Sequence, residues 1–144
     1  MNMLIELSIL LLLAVLAGSM VFFSFVMAPL IHIKLDAPVA ARFIRAVFPW
    51  YYLVVIVLAA AAALLLAADS LLLALVMAAV ALAGVYLHLW LMPRINRWRD
   101  KGKEGDDAAQ KRFDAGHRLS VLINGVQLLA VLAVIVLFVL PSGI

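Results

Sequence analysis

Four long apolar runs divide this chain, separated by shorter polar stretches. They cover residues 3–33, 50–68, 71–92 and 119–140. A helix that crosses a bilayer needs about 20 consecutive apolar residues. The pattern therefore predicts four transmembrane helices, with spans at about 3–31, 50–68, 71–92 and 119–140. The first run is longer than a crossing requires, which predicts tilt or a kink near Pro29. It is read as a retained helix: residues 1–6 carry no Lys or Arg, and the run exceeds the roughly 7–15 residues of a signal-peptide core. The fold class that follows is an all-α integral membrane protein, one domain built as an antiparallel bundle of four transmembrane helices.

The polar stretches have patterns of their own. In segment 34–49, Asp36 can cap a helix and Pro38 suits its first turn. Val39, Phe43, Ala46, Val47 and Trp50 then share one face, and Arg42 and Arg45 another. This predicts a short interfacial amphipathic helix over 36–48, ended by Pro49 and followed by Trp50, Tyr51 and Tyr52 as an aromatic belt. Little more than Asp69-Ser70 joins the second and third spans, so they must be antiparallel neighbours. Residues 93–105 are polar with two glycines and are read as a turn or loose segment. From Asp106 or Asp107, either able to cap, the fourth helix is expected to begin before it reaches lipid. Small residues (the alanine run 59–63, Ala81 and Gly84, Ala14 and Gly18) would let helix backbones approach closely.

Composition makes lipid the only plausible solvent. The chain is 69% hydrophobic and 13% charged, against roughly 45–50% and about 25% for soluble domains. Its mean hydropathy is +1.23. There is no cysteine, which excludes disulfides, thiolate metal sites and cysteine nucleophiles. A net charge of +3 and a pI near 9.6 could signal nucleic acid, but the placement of the charges says otherwise. Lys34, Arg42 and Arg45 lie between the first two spans. Arg94, Arg97, Arg99, Lys101, Lys103, Lys111, Arg112 and Arg118 lie between the last two. Together these are all 11 basic residues. Cytoplasmic loops collect Lys and Arg, so segments 34–49 and 93–117 are expected in the cytoplasm and both termini outside it, in a bacterial inner (plasma) membrane. The partners expected are the lipid bilayer and a second copy in a homodimer, with no nucleic acid.

Candidate chemistry sits near one leaflet. His117, Ser120, Asn124 and Gln127 step by three, four and three residues, which places them within an arc of about 80° on a helix. A polar stripe on an apolar helix should face the bundle interior, as interhelical glue or as a surface that contacts a ligand, metal or ion. His32, His88 and His117 come to the same membrane level from three helices. Neutral imidazoles suit transition metals or haem iron, so a haem or metal site is the alternative reading, assembled from different helices because no HxxxH or HExxH spacing occurs. Asn96 could cap a helix end or bond another loop. Glu6 is expected at the outer interface, and Ser8, Ser19 and Ser24 can bond their own helix backbones.

Several blocks together carry a family resemblance: Phe22-Phe23-Ser24-Phe25-Val26-Met27-Ala28-Pro29-Leu30, Ala41-Arg42-Phe43 leading to Phe48-Pro49-Trp50-Tyr51-Tyr52, Pro93-Arg94-Ile95-Asn96, and His117-Arg118-Leu119-Ser120 with Asn124 and Gln127. In order and spacing they resemble a bacterial membrane domain family of unknown function related to eukaryotic transmembrane protein 205. The resemblance implies a small four-span protein and a link to the transport or trafficking of metal compounds, since the eukaryotic relatives are tied to tolerance of platinum drugs. There is no glycine-rich phosphate loop, nucleophile elbow or intramembrane carboxylate pair. The expectation is therefore a non-enzymatic protein, transport-related or an accessory subunit.

Overall fold

The computed structural model describes residues 2–140. Met1 and the tail 141–144, on which part of the topology expectation falls, lie outside the described residues. Within them the chain is helical and contains no strand. Four helices are long and apolar enough to cross a membrane: α1 (Met3–Lys34), α2 (Ala37–Leu66), α3 (Leu71–Lys103) and α4 (Asp107–Val139). They contain 32, 30, 33 and 33 residues. At 1.5 Å per residue each is roughly 45–50 Å long, against a hydrocarbon core of about 30 Å. The surplus lies at the basic end, where α1 finishes, α2 begins, and α3 and α4 meet.

The two proline-bearing polar stretches depart from expectation in the same way. Residues 37–48 are helical and amphipathic, with Asp36 at the N-cap, but they do not form a separate short helix. They are the first turns of α2, which continues through Pro49. Residues 93–105 are likewise no loose segment: α3 runs on past Pro93 to Lys103. A proline inside a helix lacks the N–H and crowds the carbonyl four residues back. In α1 and α3 a widened π-helical turn precedes it. Phe23–Met27 comes before Pro29, and Leu87–Leu91 before Pro93. Ala28 N–H then donates to the Phe23 carbonyl, and Met92 N–H to the Leu87 carbonyl, each five residues back. The irregularity expected near Pro29 therefore takes the form of a π turn.

The connections are tight. Ser70 caps α3, its Oγ accepting from Leu73 N–H at 3.4 Å. Asp36 occupies the α2 N-cap through its backbone alone. Between α3 and α4, Asp106 N–H donates to the Lys101 carbonyl and Gly105 N–H to that of Gly102, both at 3.1 Å. This is a Schellman closure, and it needs Gly105 at φ 96°. Asp106 then caps α4, its carboxylate accepting from Ala109 N–H at 2.9 Å.

The helices form a ring in which α1 packs on α2 and α4, and α3 on α2 and α4. Among the described residues, the half away from the basic end is filled by apolar side chains: Leu13 and Leu16 of α1, Ala59, Ala62 and Leu66 of α2, Met77 of α3, and Val131 and Val134 of α4. Small residues bring α2 and α3 together, and a Cβ on Gly84 would stand 2.9 Å from Ile56 Cγ1. Ala14 and Gly18 do not share this role. Both are exposed, and nothing lies within 4 Å of a Cβ built on Gly18.

Candidate functional site

Among the described residues, the stripe of α4 carries polar groups into the basic half of the bundle. Ser120 Oγ donates to the His117 carbonyl at 2.7 Å. Asn124 Nδ2 donates to the Ser120 carbonyl at 3.0 Å and to the Tyr52 hydroxyl at 3.2 Å. The Tyr51 hydroxyl in turn donates to Asn124 Oδ1 at 3.3 Å. One turn deeper, Gln127 Nε2 crosses to α3 and donates to the Val80 carbonyl at 2.9 Å. Gln127 is 3% exposed, and its Oε1 has no hydrogen-bond partner among the described residues. The expectation that Asn124 and Gln127 face the bundle interior is thus met geometrically: one carboxamide is shared by α4 and α2, the other by α4 and α3.

The tyrosines are the members that sequence reasoning missed. Trp50, Tyr51 and Tyr52 were expected to form one interfacial belt. Trp50 does face outward, 70% exposed, whereas Tyr51 and Tyr52 are 7% and 0% exposed. Consecutive residues on a helix point about 100° apart, so three in a row cannot share one environment. Tyr51 stacks on Phe23 of the α1 π turn, with ring centroids 4.3 Å apart. Phe48 packs edge-on against Phe23 at 5.1 Å and lies 5.6 Å from Tyr52. Ser24 belongs to the same π turn that packs on Tyr51. A polar stripe at this depth requires hydroxyl or amide partners on facing helices, and the paired tyrosines about four turns into α2 were the available signal.

The three histidines do not meet. His117 belongs to the ladder through its carbonyl. Its ring stacks on Phe113 with centroids 6.1 Å apart and lies within electrostatic reach of His32, Arg99 and Asp114. His88 sits in the α3 π turn and lines a cavity of about 90 Å³ between α2 and α3, with Arg45, Tyr52 and Asn96. His88 therefore approaches the stripe through Tyr52, which touches both the cavity and Asn124. Among the described residues no three His, Asp or Glu side chains converge to hold a metal ion. The separation follows from the ring of helices: the ends of α1 and α4 bring His32 near His117, while the π turn places His88 on the α2 side.

Arg45 fixes the mouth of that cavity. Its guanidinium pairs with Asp100 and donates to the Asn96 carbonyl at 3.3 Å. Asn96 thus takes part through its backbone from within α3, not as a cap. Arg45 Nε is buried without a partner among the described residues. Asp100 stands on the part of α3 beyond the apolar run, and the hydrogen bond from Arg45 holds its carboxyl below the usual carboxylate value. Glu6 lies in the first turn of α1, at the opposite end of the bundle.

Comparison with known proteins gives one family. The model described as "Domain of unknown function (DUF4149)" matches residues 11–104. The match takes in most of α1, all of α2 and α3, and ends before α4 with its polar stripe. No curated protein and no solved structure matches the chain.

Proposed function

The chain belongs to the DUF4149 family, and from that premise we propose that it is a non-enzymatic, transport-related or accessory membrane protein whose working surface is the polar ladder in the basic half of the bundle. The observation that carries the reading is Asn124, a carboxamide inside a membrane bundle, held by two tyrosine hydroxyls from another helix. Polar groups at such depth are costly and tend to mark ligand or ion contacts. Gln127 adds a buried acceptor without a partner among the described residues, the kind of group a small polar solute could bind. The apolar half beyond Gln127 would close this half-path at its far end.

The basic end is taken to face the cytoplasm of a bacterial inner membrane, by the charge asymmetry of the segments. Relation to transmembrane protein 205 is part of the same proposal. It rests on the residue blocks quoted above and carries the link to metal compounds. The exposed Ala14 and Gly18, four apart on α1, would seat a second copy of the chain.

The test is cellular platinum content. Cells expressing the chain are exposed to a platinum drug complex, and cell-associated platinum is measured by inductively coupled plasma mass spectrometry. Expression should change accumulation, and Asn124→Leu/Gln127→Leu at equal membrane abundance should abolish the change. Identical accumulation with and without the chain would remove the transport reading and leave the accessory one.

A further inference from the structure

A second concavity lies on the opposite side of α3 from the Arg45 cavity. It is an open groove of about 450 Å³ between α3 and α4 at the basic end. Its residues are ordered by depth. On α3, Trp98 and Arg94 lie nearest the polar end, with Leu91 and Tyr86 progressively deeper. On α4, which runs the other way, Arg112 is outermost and Leu119 deepest. On both walls an arginine therefore lies nearer the polar end than the apolar side chains, Arg94 above Leu91 and Arg112 above Leu119. Arg94 to Tyr86 and Arg112 to Leu119 each span roughly 10–12 Å along the helix axis at 1.5 Å per residue. No carboxylate lines the groove. Gly116 forms its floor, where a Cβ would stand 3.0 Å from both Ile95 Cγ1 and Trp98 Cζ3.

The geometry points to a binding site for one membrane phospholipid with an anionic phosphodiester headgroup. The phosphate lies between Arg94 and Arg112, and the first methylenes of an acyl chain run down past Leu119 and Leu91 towards Tyr86. Charge complementarity selects this occupant. Two cations without a lining carboxylate need an anion, and the apolar depth below them needs a chain that water-soluble phosphates lack. Basic pockets between transmembrane helices on the cytoplasmic side are known to hold anionic headgroups. The Arg94 guanidinium lies 5.0 Å from the ring centroid of Trp90, one turn deeper on α3. The site is independent of the Asn124 ladder and stands or falls separately from it.

The experiment is native mass spectrometry of the full chain from mild detergent, titrated with phosphatidylglycerol or phosphatidylcholine of matched acyl chains. Wild type should bind phosphatidylglycerol in clear preference. Taking about 1 kcal/mol per Arg near the surface, Arg94→Gln and Arg112→Gln should each weaken binding about fivefold, and the pair about 25-fold. Lys101→Gln/Lys103→Gln removes the same charge away from the groove and should stay within about twofold of wild type. Should the Gln pair fail to fold by circular dichroism, Arg94→Lys/Arg112→Lys, which keeps the charge, must retain the preference. The tail is read separately: with Trp50→Phe/Trp98→Phe leaving only Trp90, at the depth of Leu91, acyl-brominated phosphatidylglycerol should quench its fluorescence more than brominated phosphatidylcholine. Three results would overturn the assignment: equal binding of the two lipids, equal losses in the groove and control pairs, or competition by glycerol phosphate at the lipid's own concentration.

Discussion

Asn124→Leu isolates the interaction on which the proposed site depends. The change removes two interhelical bonds, to Tyr51 and Tyr52, and one to the Ser120 carbonyl. Interhelical side-chain bonds in membrane proteins average about 0.6 kcal/mol, so the two lost bonds alone amount to roughly 1 kcal/mol. The larger effect falls on the partners. Tyr51 keeps its stacking on Phe23, but Tyr52, fully buried, loses the partner its hydroxyl has in the network. A buried hydroxyl left unsatisfied costs about 1–3 kcal/mol. Asn124→Leu should therefore destabilise the bundle by about 2–4 kcal/mol in sodium dodecyl sulfate titration from mixed micelles, followed by circular dichroism. Replacing both partners with apolar groups of similar shape is close to neutral, so Asn124→Leu/Tyr52→Phe should recover at least half of the loss. If the single variant lies within about 0.5 kcal/mol of wild type, or the double variant is no better than the single, the bonds described here do not hold α2 to α4.

Other outcomes follow from the same geometry. Gly116→Ala should cost about 1–3 kcal/mol by overpacking, because its Cβ would stand 3.0 Å from Ile95 and Trp98. Gly125→Ala, with nothing within 4 Å, should instead stabilise α4 by about 0.5–1 kcal/mol in the same titration. The Asp100 carboxyl is held below its usual value by Arg45. Its contribution is thus present above the unfolded carboxylate pKa and lost as pH falls through the folded one, so wild type should lose more stability than Asp100→Asn between pH 6 and pH 3. Alkaline phosphatase fused after Ile144 should be active, while a fluorescent protein inserted at Gly105 should fold in the cytoplasm; the reverse pattern would invert the topology. Native mass spectrometry should show a dimer of the 15.7 kDa chain that Gly18→Leu dissociates, and a monomer at every concentration would count against the second copy.

The sequence by itself determined the class of solvent, the number of crossings, and which face of α4 turns inward. These follow from local quantities: runs of apolar residues long enough for a bilayer, and a stripe repeating near the helical period. Asn124 and Gln127 were legible for that reason, because a carboxamide on an apolar helix has few places to go but inward. Local pattern could not say where the helices end. Pro49 and Pro93 read as terminators, yet both lie inside helices, since a proline's missing bond can be absorbed by a π turn or by neighbouring packing. Nor could it name the partners. Tyr51 and Tyr52 looked like interfacial residues beside Trp50, and only their rotation about α2, set by packing against Phe23 and α4, turned them into the core. The histidines share a depth in the sequence but not a place in the bundle. Depth is fixed by distance along the chain, whereas convergence depends on which helices are neighbours and how each is rotated, and that is a property of the tertiary structure alone.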